Sequence, residues 1–323
     1  MPGSKYVVTG CSGFIGSHVT EKLLARGDEV IGVDNLNDYY EPWRKELNLS
    51  LLSEYDGFEF HREDIRDTDA VERIISGDGI RCTIHLAAMA GVRASIANPR
   101  AYYETNVLGT LNLLERARSV GPMSFVLASS SSVYGDREEM PLSETDRTDE
   151  PISPYAASKK SSEILCHAHS VVYGLQVTCL RFFTVYGPRG RPDMAPYKFM
   201  DAIANKKTIE VYGDGTSERD YTYIGDIVSG VIAAADRPFD FEIINLGNSD
   251  PVLLSEFISV MEEVVGEKAH CVKMPEQPGD VRRTFAEIGK ARRLLGFSPQ
   301  TPLREGLAAM YEWYLREVRA DSK

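Results

Sequence analysis

The sequence lacks any apolar run approaching the length of a membrane-spanning helix. The first predicted strand begins at Lys5, which leaves too little chain for a secretory signal peptide. Five cysteines are scattered along the chain, and their spacing predicts neither a disulfide framework nor a metal site. Repeats, low-complexity tracts and flexible linkers are also missing. We therefore expect a soluble, cytoplasmic protein in a reducing compartment, with no membrane partner and no bound metal.

Positive charge is in deficit as well. The chain has 36 lysines and arginines against 48 aspartates and glutamates, which gives a formal net charge of −12. Proteins that bind nucleic acid need clustered cations, so we expect no nucleic-acid partner. Distant charges are screened beyond roughly 8 Å, so a local group of arginines can still hold an anionic ligand. The arginines that stand in suitable segments are Arg93, Arg189, Arg191, Arg219, Arg282 and Arg283.

The first 34 residues have the pattern of a dinucleotide-binding site. A β-branched strand at 5–9 leads into a glycine loop at 10–16 and a helix, and a second strand at 29–33 ends at Asp34. The glycines let the backbone approach a pyrophosphate at the helix N-terminus. Asp34 can accept both ribose hydroxyls of NAD and repel the extra phosphate of NADP. We therefore predict NAD as cofactor, bound here by Gly10, Gly13, Phe14, Ile15, Gly16, Asp34 and Asn35.

A second pattern, Tyr155 followed four residues later by Lys159, predicts a proton-transfer pair. Both side chains lie on one face of the helix predicted over residues 153–174. A phenol ordinarily loses its proton near pH ~10, and an adjacent ammonium group lowers that value. Such a pair also arises by chance on a solvated helix face. The dinucleotide site upstream favours the catalytic interpretation.

The spacing GxxGxxG, together with Tyr-x-x-x-Lys, resembles the extended branch of the short-chain dehydrogenase/reductase family. This resemblance implies that Ser130 faces the reacting oxygen of the substrate and that Lys159 holds the nicotinamide ribose. It also implies adenine contacts after the third strand and ribose contacts after the fourth. The further cofactor residues that it implies are Asp64, Ile65, Leu86, Ala87, Ala88, Asn106, Ser129, Tyr155 and Lys159.

Alternating strands and helices up to about Arg181 predict an α/β fold, a doubly wound Rossmann-type parallel sheet with a smaller, discontinuous C-terminal substrate lobe. We expect residues 1–182, with a return segment at 221–247, to form the NAD-binding domain. Residues 183–220 and 248–323 would form the substrate-binding lobe. The resemblance implies a homodimer through helices at 99–120 and 153–174, although their amphipathic pattern could equally reflect packing onto the sheet.

Motifs in the second half resemble those of sugar-nucleotide epimerases and dehydratases. The stretch 211–226 is similar to the one whose relatives line uracil and pair an arginine, here Arg219, with the diphosphate. Residues 278–281 (PGDV) resemble the turn whose aspartate, here Asp280, holds the uridine ribose. Plainer interpretations are a tight hairpin turn at 212–215 and a surface ion pair for Arg219.

The narrower resemblance is to UDP-glucuronate 4-epimerases, through residues 34–40 (DNLNDYY), 90–95 (AGVRAS) and 183–194 (FTVYGPRGRPDM). A hydroxyl at Thr184 and a guanidinium at Arg191 suit a sugar that carries a carboxylate. The roles of Arg282 and Arg283 are left open. The predicted substrate contacts are Arg93, Ser130, Ser131, Ser132, Tyr155, Thr184, Arg191, Val211, Tyr212, Arg219 and Asp280.

The resemblance thus implies C4 epimerisation of a UDP-hexuronic acid, with Tyr155 as the base, Ser130 sharing its hydrogen bond and NAD regenerated in each turnover. Decarboxylases and dehydratases of the family carry an acid where this chain has Ser132. Two alternatives remain: a C4 epimerase of neutral UDP-sugars, and an NAD-binding regulator without catalysis.

Overall fold

A computed structural model describes residues 3–76, 79–121, 123–275 and 281–319. In chain order, its strands are β1 (Lys5–Thr9), β2 (Glu29–Val33), β3 (Phe58–His61), β4 (Ile80–His85), β5 (Ser124–Ser130), β6 (Gln176–Phe182), β7 (Thr184–Tyr186), β8 (Thr208–Tyr212), β9 (Glu218–Tyr223), β10 (Phe241–Leu246), β11 (Pro251–Leu253), β12 (His270–Met274) and β13 (Arg283–Thr284). Seven of these strands form one parallel sheet in the order β10-β6-β5-β4-β1-β2-β3. The predicted doubly wound α/β fold is confirmed.

The helices of the described chain are α1 (Phe14–Ala25), α2 (Pro42–Leu52), α3 (Thr68–Ile74), α4 (Val92–Ala97), α5 (Pro99–Tyr102), α6 (Gly109–Val120), α7 (Pro154–Tyr173), α8 (Ala195–Ala204), α9 (Ile224–Asp236), α10 (Leu254–Val265), α11 (Gly289–Leu295) and α12 (Leu303–Glu317). A π-helical turn, Tyr103–Leu108, joins α5 to α6, and a 3₁₀ turn, Ser131–Tyr134, follows β5.

Helices cover both faces of the large sheet, which explains why its strands are apolar on both sides. Successive side chains of a strand point to opposite faces. In β1, Val8 packs in the core that includes α1 and α9, whereas Val7 packs in the core that includes α3, α6 and α7. Within the described residues, no helix is both long and apolar enough to cross a membrane.

A smaller unit lies beyond the carboxyl end of the sheet. Strands β7, β9, β11 and β13 form a second sheet, β8 pairs with β12, and α8, α10 and α12 enclose an apolar core around Met200, Phe257 and Trp313. Residues 286–297, which include α11, pack instead into the core of the large sheet. The bounds given above assign these residues to the smaller lobe. The division of the chain into two domains at those bounds stays a prediction.

The chain is helical over the whole of residues 99–120, as predicted, because α5, the π-helical turn Tyr103–Leu108 and α6 follow one another without a break. The apolar pattern did not reveal the wider backbone of the π-helical turn. The hairpin that was the plainer interpretation of 212–215 does not form, because β8 pairs with β12 and β9 pairs with β7, β11 and β13.

Candidate active site

A single large cleft runs from the carboxyl ends of β1, β2, β4 and β5 to the smaller unit, and its volume is about 1770 Å³. Pockets for one small ligand usually measure roughly 300–1,000 Å³, so this cleft has room for two ligands side by side. Among the residues singled out above, the cleft is lined by Gly10, Gly13, Phe14, Ile15, Gly16, Asp34, Asn35, Asp64, Ile65, Leu86, Ala87, Ala88, Arg93, Ser129, Ser130, Ser131, Ser132, Tyr155, Lys159, Thr184, Arg191, Tyr212 and Arg219.

The glycine loop allows close backbone packing at one end of the cleft. Gly10 adopts a positive φ of 70°, and a Cβ there would lie 2.7 Å from the backbone N of Ala87. A Cβ on Gly16 would lie 1.9 Å from the carbonyl O of Gly10. Gly13 begins α1 without a side-chain cap, so the first N–H groups of the helix are left for a ligand. This cradle suits the pyrophosphate of a dinucleotide.

Asp34 follows β2 and faces the same end of the cleft. Its carboxylate accepts hydrogen bonds from the backbone N of Ser12 at 3.2 Å and of Leu36 at 2.9 Å. Burial raises the pKa of Asp34, while the two N–H groups and Lys45 oppose that shift. The buried carboxylate is thus held in place by the backbone, as a ribose-binding acid requires.

Asn35 and Asp64 bind each other across the neighbouring loops. The Nδ2 of Asn35 donates to Asp64 at 2.9 Å, and Arg66 forms a bidentate pair with the same carboxylate. Arg66 is the largest influence that lowers the pKa of Asp64, to about 2. These two predicted cofactor residues therefore brace each other at one edge of the cleft.

Asn106 does not line the cleft, although it was predicted to bind the cofactor. Its side chain accepts from the backbone N of Met89 at 2.8 Å and donates to the carbonyl of Met89 at 2.9 Å. It also donates to the hydroxyl of Ser158 on α7 at 2.9 Å. Asn106 therefore holds the loop after β4 against the helix that carries Tyr155 and Lys159.

Lys159 lies in the cleft with only 5% of its surface exposed. Its Nζ donates to the carbonyl O of Ala128 at 2.7 Å. Burial lowers the pKa of Lys159 to about 8, and the charge of Glu163 partly opposes that shift.

Glu163 is a supporting residue that the sequence argument missed. Its carboxylate forms a buried bidentate pair with Arg181, both bonds being 2.9 Å, and it accepts from the hydroxyl of Ser129 at 2.6 Å. The available signal was its position, four residues after Lys159 on the same face of α7. Ser129 lines the cleft, but its hydroxyl donates a hydrogen bond to Glu163.

Tyr155 lies in the first turn of α7, and Ser153 caps this helix by accepting from the backbone N of Ala156 at 3.1 Å. Burial raises the pKa of Tyr155, while the Ser130 hydroxyl and the charge of Arg191 lower it. Arg191 is the cation whose charge lowers the pKa of Tyr155, and burial outweighs it. The acidifying effect expected from Lys159 stays a prediction.

The serine turn faces the same part of the cleft. Ser130 ends β5, accepts from the backbone N of Ser132 at 3.2 Å and donates to the hydroxyl of Ser132 at 3.2 Å. Ser131 and Thr184 also line the wall there. Several hydroxyls thus surround the side of the cleft that Tyr155 reaches.

Arg191 lines the same cleft and is engaged by protein groups. It forms a bidentate pair with Asp193 at 3.0 and 2.5 Å, and its Nη2 donates to the carbonyl O of Ala90 at 3.2 Å. Its guanidinium lies 5.4 Å from the ring centroid of Tyr39. The guanidinium edge predicted to grip a substrate carboxylate is therefore directed at Asp193.

The outer end of the cleft contains the predicted nucleotide contacts. Arg93 stacks on the ring of Tyr212 at 4.1 Å, and Arg219 donates to the backbone carbonyls of Glu218, Val281 and Arg282. Val211 does not line the cleft, because β8 turns this side chain into the core of the smaller unit. Asp280 lies outside the described residues.

The two arginines left open by the sequence differ in placement. Arg282 lines the cleft and lies 3.8 Å from the carboxylate of Asp214. Arg283 pairs with Glu218 at 2.6 Å and stacks over the ring of Phe285.

Comparison with known proteins places these features in context. The family model for GDP-mannose 4,6 dehydratase matches residues 7–310. The chain is 44% identical to a UDP-glucuronate 4-epimerase of Thermodesulfobacterium geofontis, over 95% of each chain.

Two solved structures share the fold. One is a UDP-glucuronic acid 4-epimerase from Bacillus cereus in complex with UDP-glucuronic acid and NAD, with a TM-score of 0.91, 36% identity and coverage of 97% of this chain and 99% of that one. The other is a UDP-glucose 4-epimerase from Thermotoga maritima with UDP-glucose, with a TM-score of 0.89, 32% identity and coverage of 99% and 100%.

Proposed function

Because the chain belongs to the GDP-mannose 4,6-dehydratase family of extended short-chain dehydrogenases/reductases, we propose that it is an NAD-dependent C4 epimerase of UDP-hexuronic acids. It interconverts UDP-glucuronate and UDP-galacturonate through a transient 4-keto sugar. One structural observation supports this most: Tyr155, Ser130 and Arg191 line one cleft that begins at the glycine loop, and Ser130 and Arg191 both lower the pKa of Tyr155.

The residues at that loop fit NAD. Gly10 and Gly16 leave no room for a Cβ, the N–H groups of α1 are uncapped, and Asp34 is held for the ribose hydroxyls. When bound, NAD accepts a hydride from C4 of the sugar and returns it to the opposite face. Leu86, Ala87 and Ala88 form the adjoining wall, and Lys159 reaches the cleft from α7.

The protein side chains move the proton and hold the sugar. Tyr155 takes the proton of the C4 hydroxyl as a general base, and Ser130 donates a hydrogen bond to the same oxygen. Arg191 stabilises the phenolate form by its positive charge, in the direction of its influence on the pKa of Tyr155. The nucleotide is held by the outer residues Arg93 and Tyr212 while the keto sugar turns over.

A uronate substrate poses a chemical hazard, because a 4-keto uronate is a β-keto acid that readily loses CO₂. Loss of CO₂ requires the carboxylate bond to align with the carbonyl π system. Thr184, Ser131 and Ser132 line the cleft, and hydroxyls from Thr184 and one of the two serines would hold the carboxylate in the ring plane. Position 132 carries serine where related decarboxylases and dehydratases carry an acid, which favours epimerisation.

Purified protein should convert UDP-glucuronate to UDP-galacturonate with no net production of NADH, since the hydride returns to the sugar. Nucleotide-sugar chromatography with absorbance at 340 nm, as a measure of reduced cofactor, would follow both. Accumulation of a UDP-pentose would contradict the proposal and indicate decarboxylation.

A neutral UDP-sugar is the second candidate substrate, because Arg191 already pairs with Asp193 and the chain shares its fold with a UDP-glucose 4-epimerase. The same assay separates the two. We expect a higher kcat/KM on UDP-glucuronate than on UDP-glucose, and the reverse order would favour the neutral sugar.

We further propose a homodimer, supported by apolar side chains on the outer surface of α7. Ile164, Val171 and Val172 are 58%, 70% and 67% exposed, and the spacing of seven and eight residues puts them on one side of the helix. Leu108, at the end of the π-helical turn that contacts α7, is 52% exposed. A contiguous apolar helix surface of this kind is typical of a protein–protein interface.

A charge placed in that surface should break the dimer. Val171→Glu would bury a carboxylate in the interface at high cost, so the variant should sediment as a monomer while wild type sediments as a dimer. Leu315→Glu makes the same change on an exposed residue of α12 and should leave the dimer intact. A monomeric wild type, or a dimeric Val171→Glu, would contradict the proposed interface.

We also propose a cytoplasmic location. All five cysteines, Cys11, Cys82, Cys166, Cys179 and Cys271, are free thiols, which is usual in a reducing compartment. Recovery of the native protein in the membrane or extracellular fraction of its cells would contradict this.

A further inference from the structure

One backbone carbonyl oxygen in the cleft accepts hydrogen bonds from three side chains. The carbonyl O of Ala90 accepts from the hydroxyl of Tyr39 at 2.6 Å, from that of Tyr102 at 3.0 Å and from the Nη2 of Arg191 at 3.2 Å. A carbonyl oxygen has two lone pairs, so three donors from three separate segments form an unusually crowded acceptor. We call this arrangement the Ala90 node.

The node lies in a loop that is already fixed on the cofactor side. Met89 is held at both its N–H and its carbonyl by Asn106. Tyr102 and Asn106 are four residues apart, so one helical segment supports two consecutive residues of the loop. Gly91, which follows, has a φ of 110°, and a Cβ there would lie 2.9 Å from the Tyr39 hydroxyl.

The same side chains touch the reacting residues. The ring of Tyr102 meets the ring of Tyr155 edge-on, with centroids 6.1 Å apart, and the ring of Tyr39 lies under the guanidinium of Arg191. Tyr102 is only 1% exposed, and burial raises its pKa well above the ordinary value of a phenol. Its hydroxyl therefore stays protonated and acts as a donor.

We propose that Tyr102 and Tyr39 are positioning residues, whose hydrogen bonds to the Ala90 carbonyl fix the position of the Arg191 guanidinium relative to the Tyr155 phenol. The inference rests on the proposed epimerase function, because this position matters only when an acidic sugar presents its C4 hydroxyl to Tyr155. Neither phenol takes part in proton transfer itself. Each acts through the backbone oxygen that they share with Arg191.

The experiment compares Tyr102→Phe and Tyr39→Phe, which keep both rings and delete one donor each, in full-length protein purified with its cofactor. Each variant should lose about 3- to 10-fold in kcat/KM on UDP-glucuronate, the usual worth of one buried hydrogen bond. Cofactor content and affinity for UDP alone should equal those of wild type, because UDP lacks the sugar that meets Tyr155. The thermal midpoint should fall by no more than the loss of one hydrogen bond explains.

Tyr186→Phe is the matched control. Its phenol is also buried and donates to a backbone carbonyl, that of Leu303 at 3.4 Å, but it does not line the cleft. We expect its kcat/KM to stay within about twofold of wild type. If Tyr102→Phe does not fold, Tyr39→Phe decides, because Tyr39 is only half-buried.

The double variant gives a readout that a merely structural role would not produce. Because both phenols donate to one oxygen, the loss of kcat/KM in the double variant should differ from the product of the two single losses. The difference should exceed the roughly twofold scatter seen for independent sites. Simple multiplication, single variants within twofold of wild type, or losses accompanied by equal losses in UDP affinity would each overturn the inference. Turnover of UDP-glucuronate by the wild type distinguishes the two kinds of failure. If the wild type turns over this substrate, such results overturn only the inference. If it does not, the proposed function fails and the inference fails with it.

Discussion

Tyr155→Phe should lower the rate of UDP-glucuronate epimerisation by about 10²- to 10⁴-fold, the usual contribution of a positioned general base. The phenol faces Ser130 and Arg191, and phenylalanine keeps the ring against Tyr102 while removing the group that accepts the proton. Cofactor content and the thermal midpoint should be unchanged. Steady-state kinetics, with cofactor released by denaturation and quantified, would measure these effects.

Tyr311→Phe in α12 serves as the control, because it deletes a phenol away from the cleft. Its turnover should match wild type. Retention of normal turnover by Tyr155→Phe would remove Tyr155 as the base. Loss of cofactor or of folded protein in that variant would show a structural role instead.

Lys159→Met should raise the stability of the protein and abolish most of its activity. The amine is buried, and its pKa falls from an ordinary value of 10.5 to about 8. A difference of that size corresponds to about 3 kcal/mol spent on keeping the charged amine inside the fold. Methionine fills a similar volume without the charge, so its unfolding free energy at pH 7 should exceed that of wild type by up to about 3 kcal/mol.

The pH dependence of this difference follows from proton binding. Between about pH 8 and pH 10.5 the unfolded chain binds the Lys159 proton and the folded protein does not, so wild-type stability rises with pH across this window. The full cost is present below pH 8. The advantage of Lys159→Met should therefore shrink steadily as pH rises from 8 to 10.5, as measured by urea unfolding. A constant difference, or a variant less stable than wild type at pH 7, would contradict the prediction.

Local pattern was sufficient for much of the cofactor end of the site. The strand at Lys5–Thr9, the glycine loop and Asp34 are consecutive, so short-range rules of backbone geometry place them together. The same holds for the pair Tyr155 and Lys159, which helical spacing alone puts on one face. These residues line the cleft as expected.

The electrostatics of the pair could not be deduced in this way. Spacing predicts proximity, but the pKa of Tyr155 depends on burial and on Arg191, which is 36 residues away in the chain. The orientations of Asn106 and Val211 could not be deduced from local pattern either. The side chain of Asn106 bonds to Met89, and that of Val211 packs in the core of the smaller unit. Those orientations depend on a π-helical turn and on the pairing of β8 with β12.

The amino-acid sequence by itself thus determined the class of fold, the cofactor loop and the placement of Tyr155 and Lys159 on one helix face, because each is encoded by residues close together along the chain. Only the tertiary structure decided which cation lowers the pKa of the Tyr155 phenol and which three donors meet at Ala90. Those contacts join segments as much as 101 residues apart. Desolvation and long-range packing, rather than local propensity, set their geometry and charge.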